Sequence, residues 1–436
     1  MNIFLSVNRH LVISNGLLVL LVLFPILPFA FSSIISVIFV LSVIVLNHGE
    51  LTANFSSNKK SFLVHILFYL CMIFSIVYTD NLSKGLEEVK RGLPLLLFPF
   101  VFYFNKCLFK KWFLSVLKAF VFANFIYIIY LYNFIVDKLS PYKDFGFRHE
   151  IYPIKFVKSF TISFNQILQK AIHVQYKPPY LMFHKAYLSM FVLFSIFILI
   201  FLVSRTEKRF AKVLYILIAL FFCFVLFHWF SMPNIAVLLI ALLFLIIKRL
   251  RKFKLRLIFL LFIIVSSFFL ANNSFVKSKI ESNILINLNY KQVSNFFKNS
   301  LNNNTLNISG RAAINNCSLI LIKEHPFFGY GIGSVSNKLL ECYKENNYLN
   351  EYNNKLNSHN NFTHIYLSSG IIAFLSILYF FFYFFKFSIK NKDYLYLSFL
   401  AIVLVNMLFE TILYRSHGIL FFSIFSPLLY VNSQKS

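Results

Sequence analysis

Acid is what this chain lacks. Its 436 residues hold 15 Asp and Glu against 42 Lys and Arg, for a formal net charge of +27. The few carboxylates are not grouped as a metal cage or as the facing pair of a glycoside hydrolase. No phosphate-binding P-loop and no G-x-S-x-G nucleophile elbow occurs. Cysteine is also sparse, and the five present lack metal-ligand spacing. Cys71 and Cys223 fall inside apolar runs and Cys107 in a basic loop, while Cys317 and Cys342 share one polar segment. If that segment lies outside the cytoplasm the last two can pair; otherwise they are two free thiols. No internal repeat is evident. The first apolar stretch, Leu11 to Ala30, is followed at once by a second, so it does not read as a cleaved signal.

Apolar surface is what the chain has in excess: 59% of residues are hydrophobic, 19% aromatic, and the mean hydropathy is +0.72. A soluble domain of this size cannot hide so much, because its own surface must be largely polar. The solvent for much of the chain is therefore lipid. The positive charge does not point to nucleic acid, since it sits in short clusters between apolar runs.

A spanning helix needs about 20 mostly apolar residues. About twelve segments qualify: 11–30, 31–47, 61–79, 92–104, 112–135, 183–204, 211–230, 232–248, 255–272, 365–385, 394–412 and 417–432. The fold class expected is thus an all-α polytopic membrane protein with about 12 transmembrane helices. Basic clusters follow the even-numbered spans: Lys59 and Lys60, then Lys106, Lys110 and Lys111, then Arg205, Lys208 and Arg209, then Lys248 to Lys254, then Lys386 to Lys392. Basic loops stay in the cytoplasm, so both termini are expected there and the odd loops face outward. The loop 136–182 is also basic, which weakens the pattern without reversing it. Three regions follow: spans one to nine over 1–272 with an external loop about 136–182, a large external segment 273–364, and spans ten to twelve over 365–436. The segment 273–364 is too long for a passive connector. Its apolar stretch Ile314 to Ile322 is expected to form a helix on the membrane or on the bundle.

With acids scarce, the available chemistry is cationic and imidazole. Arg91, His184, Arg311, His359 and Arg415 all fall at or beyond outer span ends. One stretch is patterned: Ser309-Gly310-Arg311, then His325-Pro326-Phe327-Phe328-Gly329-Tyr330-Gly331-Ile332-Gly333, then Ser358-His359-Asn360, nine residues, and Gly370. Here the sequence resembles the O-antigen ligase and O-antigen polymerase superfamily of bacterial envelope enzymes. That family often shows an Arg, a Gly-x-Gly-x-Gly-like turn, and His-Asn followed nine residues later by Gly. Weaker similarities extend the match to GLEEVKRGLPLLLFP (85–99), HKAYLSM (184–190) and ETILYRSHGILFF (410–422). One departure stands out. Many members carry a cation at the outer start of the eighth span, where this chain has Ser231-Met232-Pro233.

The resemblance implies a metal-independent, cofactor-free, inverting glycosyl transfer from an undecaprenyl-diphosphate-linked glycan donor to a lipid A-core or glycan acceptor. It also implies a place in the bacterial inner membrane with the site facing the periplasm. The departing diphosphate gains charge as the glycosidic bond breaks. A guanidinium pairs with it bidentately, worth about 4 kcal/mol at ~4 Å and an effective dielectric near 20, before desolvation. An imidazole with an ordinary pKa of ~6.5 suits the base that takes the acceptor's proton. Arg311 and His359 are therefore the catalytic candidates, with Arg91, Arg415, His184 and Asn360 as candidates for binding diphosphate or glycan. Competing structural roles are a solvated charge for Arg311, a helix cap for His359, an interfacial anchor for Arg415, and pairing of Arg91 with Glu87 and Glu88 one turn away. His364 and His325 read as structural, and the three glycines as a tight turn rather than a phosphate cradle. The His-Asn-x9-Gly pattern favours a ligase, with a polymerase of the same family as the alternative and a polysaccharide flippase as the alternative of another class. A transporter would place ionisable residues deep in several spans, and the spans here are nearly free of charge.

Overall fold

A computed structural model of the chain describes residues 2–46, 55–105, 109–134, 185–228, 231–249 and 310–434. Among them all regular structure is helical. In lipid a backbone can satisfy its own polar groups only as helix or closed barrel, and apolar runs of this length and number take the first course. The helices are α1 (Asn2–Leu21), α2 (Phe29–Leu46), α3 (Phe55–Phe74), α4 (Leu82–Gly92), α5 (Pro94–Phe104), α6 (Phe113–Phe134), α7 (Lys185–Arg205), α8 (Arg209–His228), α9 (Met232–Arg249), α10 (Gly310–Glu324), α11 (Val335–Glu345), α12 (Leu349–Asn353), α13 (Asn361–Asn391), α14 (Tyr394–Met407) and α15 (Ser416–Ser433).

Eleven of the expected spans coincide with helices, and the ninth lies outside the described residues. Among the described residues five helices are long and apolar enough to cross a membrane, and several others are shorter apolar helices. Several boundaries differ from expectation, among them those of the third span, placed at 61–79, whose helix α3 runs from Phe55 to Phe74. The first span was placed at 11–30, but α1 ends at Leu21 and a turn precedes α2. The tenth was placed at 365–385, but α13 begins at Asn361 and runs to Asn391. The eleventh was placed at 394–412, but α14 ends at Met407, which releases 408–415 as a loop. Hydropathy registers apolar residues and cannot register where the backbone leaves the helix.

The core is aromatic. Phe120, Phe194, Phe399, Phe421 and Phe425 tie α6, α7, α14 and α15 together, with ring centroids 4.7 Å (Phe120–Phe425) to 5.5 Å (Phe194–Phe421) apart in the closer pairs. Buried small polar side chains bond back to the preceding turn, as Ser195 Oγ does to the Phe191 carbonyl at 2.9 Å and Asn124 Nδ2 to the Phe120 carbonyl. The same Asn124 amide also donates to Ser195 Oγ at 3.3 Å, which links α6 to α7.

The two ends of the bundle differ in composition. At the basic end Lys110 Nζ donates to the Gln434 carbonyl, Gln434 Nε2 to Asn58 Oδ1, and Asn58 Nδ2 to the Tyr103 carbonyl. At the other end the 75–81 turn meets residues 331–334, and α13 starts against the 408–415 loop. The described part of the segment 273–364 is not a simple loop. Its helices α10 and α11 are joined by a Cys317–Cys342 disulfide, with Cα atoms 5.8 Å apart, so the two thiols do pair. Ala313, Ile314 and Leu321 pack on Leu339, Tyr343 and Leu367, forming a second small core. The helix expected over Ile314 to Ile322 is α10.

Candidate functional site

The His-Asn-x9-Gly spacing has a mechanical meaning. Asn360 is the N-cap of α13, and its Oδ1 accepts from Phe362 N at 2.9 Å and Thr363 N at 3.2 Å. Gly370 breaks the same helix with φ +74°. Any Cβ there would meet the Phe327 carbonyl oxygen, while Ile371 N donates to that oxygen at 3.0 Å. Between cap and break lie residues 361–369, a piece of helix about 14 Å long at 1.5 Å per residue. The glycine turn docks on its far end. Tyr330 N donates to the Leu367 carbonyl at 2.7 Å, and Gly329 and Gly331 adopt φ of +71° and +81°. Gly333 N donates to Thr79 Oγ1, whose neighbour Asp80 N donates to Ser334 Oγ. The three glycines thus let two backbones touch, as a tight turn does.

His359 sits one residue before the cap with φ +43°, a left-handed conformation uncommon outside glycine. Its N–H donates to Asn357 Oδ1 at 2.9 Å, and Asn357 Nδ2 donates to Thr411 Oγ1. The local conformation is therefore held from both sides, which is how strained backbones persist at sites. The turn aims the ring at the 408–415 loop, where His359 Nδ1 lies 3.5 Å from Glu410 Oε2. The imidazole side chain is 32% exposed and the carboxylate side chain 8%. More bonds fasten the same loop to α13: Leu413 N donates to Asn361 Oδ1 at 2.8 Å, and Tyr414 and Ser368 hydroxyls lie 2.7 Å apart. The ring of His364 meets that of Tyr414 edge-on at 4.2 Å, and its Nδ1 pairs with Ser358 Oγ. Burial raises the Tyr414 hydroxyl pKa, so that group stays neutral.

Arg311 reaches the loop from another direction. It stands exposed in the first turn of α10, with its Cζ 5.4 Å from the centroid of the Phe409 ring. Stacking on a ring uses the guanidinium face and leaves its N–H edge available. Arg311 and His359 thus address consecutive residues, Phe409 and Glu410, although 47 positions separate them in the chain (359 − 311 = 48, less one).

The other expected residues divide. Arg415 closes the same loop, exposed, within electrostatic reach of Glu88, His364 and Tyr187. Arg91 holds Glu88 Oε1 at 2.7 Å and Glu87 Oε1 at 2.8 Å, so a phosphate would have to compete with two carboxylates. Burial pushes the Glu88 carboxyl above its usual range, against the pull of Arg91 and Arg415. The cap role weighed for His359 belongs to Asn360, whose carbonyl oxygen is committed to it. His184 lies outside the described residues. Where the resemblance leads one to expect a cation, at the start of α9, the chain instead holds a buried amide pair. Asn234 and Asn406 exchange hydrogen bonds at 3.1 and 2.7 Å, and Ser231 Oγ accepts from Asn234.

Sequence reasoning missed Glu410 and Phe409. Phe409 falls in the tail of the eleventh expected span, and Glu410 falls both there and at the start of the ETILYRSHGILFF similarity, which gives it no role. A lone carboxylate at the end of a long apolar run is the signal that would have found the first, because such a charge rarely stays in lipid without a partner. No curated protein matches the chain. Residues 231–378, which include Arg311, His359 and Gly370 but stop before the 408–415 loop, match the family model described as O-antigen ligase, which supports placing the chain in the O-antigen ligase and polymerase superfamily.

Proposed function

We propose that the chain is an inverting glycosyltransferase of the O-antigen ligase type, working at the periplasmic face of the inner membrane. It moves a glycan from an undecaprenyl-diphosphate carrier to a lipid A-core or similar acceptor. The observation that carries this reading is the convergence of a guanidinium and an imidazole on Phe409–Glu410. With Nδ1 turned to the Glu410 carboxylate, the other ring nitrogen of His359 is free to take the acceptor's hydroxyl proton. The acceptor oxygen then bonds to the anomeric carbon as the bond from that carbon to the diphosphate oxygen breaks. One displacement gives one inversion. Glu410 stabilises the imidazolium that forms, as a carboxylate behind a catalytic histidine does. The charge developing on the diphosphate is met by Arg311, at the positive end of α10, and by Arg415. Arg415 takes the part that a cation at the start of α9 would have played.

The Cys317–Cys342 disulfide favours the outward placement, since disulfides persist in oxidising compartments. The test is transfer from purified lipid-linked glycan to defined acceptors by the protein in nanodiscs. His359→Ala should lower turnover by about 10²–10⁴, the contribution of a positioned base. Transfer only to a second lipid-linked repeat would make the enzyme a polymerase. Unchanged transfer in both His359→Ala and Arg311→Ala would remove these two residues from the mechanism, and no transfer by wild type to any acceptor would leave a transporter.

A further inference from the structure

A cavity lies at the far end of the 361–369 half-helix, away from His359. It measures about 580 Å³, within the range of small-molecule sites. Its walls are aromatic. Tyr78 meets Phe74 and Phe328 edge-on, with centroids 6.4 and 6.0 Å apart, and His325 packs against Tyr330 at 4.4 Å. Asp80 and Lys338 supply its polar lining. Lys338 Nζ bonds to Glu341 Oε2 at 3.0 Å and lies in the field of Asp80 and Glu324, and Glu324 Oε2 accepts from the Tyr330 hydroxyl at 2.6 Å. Glu341 thus offsets the Lys338 ammonium, and Asp80 leaves the lining with a net negative charge. The cavity's position is fixed from both sides: the 75–81 turn bonds to Gly333 and Ser334, and Tyr330 bonds to Leu367.

This combination selects among ligands. A phosphate would enter a field dominated by carboxylates and be repelled. An acyl or isoprenoid chain would find nothing for Asp80 and Lys338 to bond. A sugar ring fits both features, because its C–H faces lie against aromatic rings and its hydroxyls donate to carboxylates. We infer that the cavity lined by Tyr78, Phe328, Tyr330, Asp80 and Lys338 is a saccharide subsite for uncharged or amino-sugar units of the glycan, about 14 Å along the half-helix from His359. It holds the glycan away from the reacting bond and is separate from the diphosphate-binding arginines. The glycan as ligand rests on the function proposed above.

The experiment uses the full chain in nanodiscs. The probe is the water-soluble glycan that mild acid releases from the lipid-linked pool of the same cells. Binding is followed by calorimetry and by saturation-transfer NMR. Wild type and His359→Ala should bind alike. Phe328→Ala combined with Asp80→Asn should bind at least tenfold more weakly, and Phe328→Tyr should restore most of the loss. Phe328 is 60% exposed and the Asp80 carboxylate is not what Ser334 holds, so the fold should tolerate both changes. Wild-type affinity in the double variant would overturn the subsite, as would no binding of the glycan to wild type. Displacement of the glycan by phosphatidylglycerol at this cavity would overturn it in favour of a lipid site. Because binding is read without turnover, the two readings fail separately. Glycan binding without transfer in any assay would sink the transferase and keep the subsite. Loss of transfer in His359→Ala with unaltered binding in the double variant would do the opposite.

Discussion

Two helices beside the 408–415 loop each present an arginine, and their sequences dispose of them differently. In α4, Arg91 follows Glu87 and Glu88 by four and three residues, the spacing that brings side chains together on a helix. Its charge is spent locally, on groups that the helix itself supplies. In α10, Arg311 has no acid within a turn on either side, and the partner it does find is the face of Phe409, from a loop about a hundred residues away. A ring attracts a cation without neutralising it. An arginine's availability is thus legible from its neighbours at three and four positions, whereas its destination is legible only in three dimensions.

The sharpest way to break this comparison is to remove each arginine in turn. Arg311→Ala should lower kcat/KM for glycan transfer by about 10²–10³, or ~2.7–4 kcal/mol, as loss of one donor to a developing anion does. Arg91→Ala should change it by less than about threefold, because the pair it leaves is a partly exposed one of modest worth. Equal losses in the two variants would show that Arg91 reaches the diphosphate in spite of its carboxylates.

The next difference concerns how the two arginine helices are held. The helix α4 is continuous with the bundle through the turn into α5, while α10 rests on a small core and the Cys317–Cys342 bridge. Replacing both cysteines with serine should destabilise that small core by about 3 kcal/mol, the chain-entropy value for a loop of this size. Hydrogen exchange should then rise over α10 and α11 and stay unchanged in α6 and α7. Uniform protection across all four helices after reduction would mean that packing alone anchors Arg311.

Much of the fold could be read from the sequence, and for one reason. Apolar runs and basic clusters report the bilayer, which acts on every residue of a span, so eleven helices appeared near their expected places. The ionic neighbours of Arg91 were equally plain, because helix geometry fixes them. The site was half legible. His359 and Arg311 stood out through a resemblance, yet Glu410 was lost within an apolar run, since its partner comes from a turn 51 residues earlier (410 − 359). The disulfide was undecided for the same reason: spacing along the chain carries no distance in space.

Glycines sharpen the contrast between bundle and outer end. A Cβ on Gly16 in α1 would meet nothing within 4 Å, so Gly16→Ala should be neutral or stabilise by up to about 1 kcal/mol. Gly370 has φ +74°, and a Cβ there would strike the Phe327 backbone. Gly370→Ala should cost about 2 kcal/mol from backbone strain alone. Thermal unfolding in detergent should separate the two, and a Gly370→Ala protein as stable as wild type would mean that the break in α13 is not required.

The smallest effect concerns Asn360, whose two possible roles make opposite demands on one atom. As a cap it needs only an acceptor oxygen, which aspartate also provides. As a ligand for diphosphate or glycan phosphate it would need the amide donor, which aspartate lacks, and a new negative charge would repel the substrate. Asn360→Ala should therefore lose about 1 kcal/mol of stability and, by loosening the start of α13, some of the His359–Glu410 alignment. Asn360→Asp should regain the stability, helped by the helix dipole. If it regains transfer as well, capping is the whole of the residue's contribution. If it regains stability but transfer stays low, the amide touches substrate, and Asn360 joins Arg311 and His359 in the site rather than holding the helix beneath it.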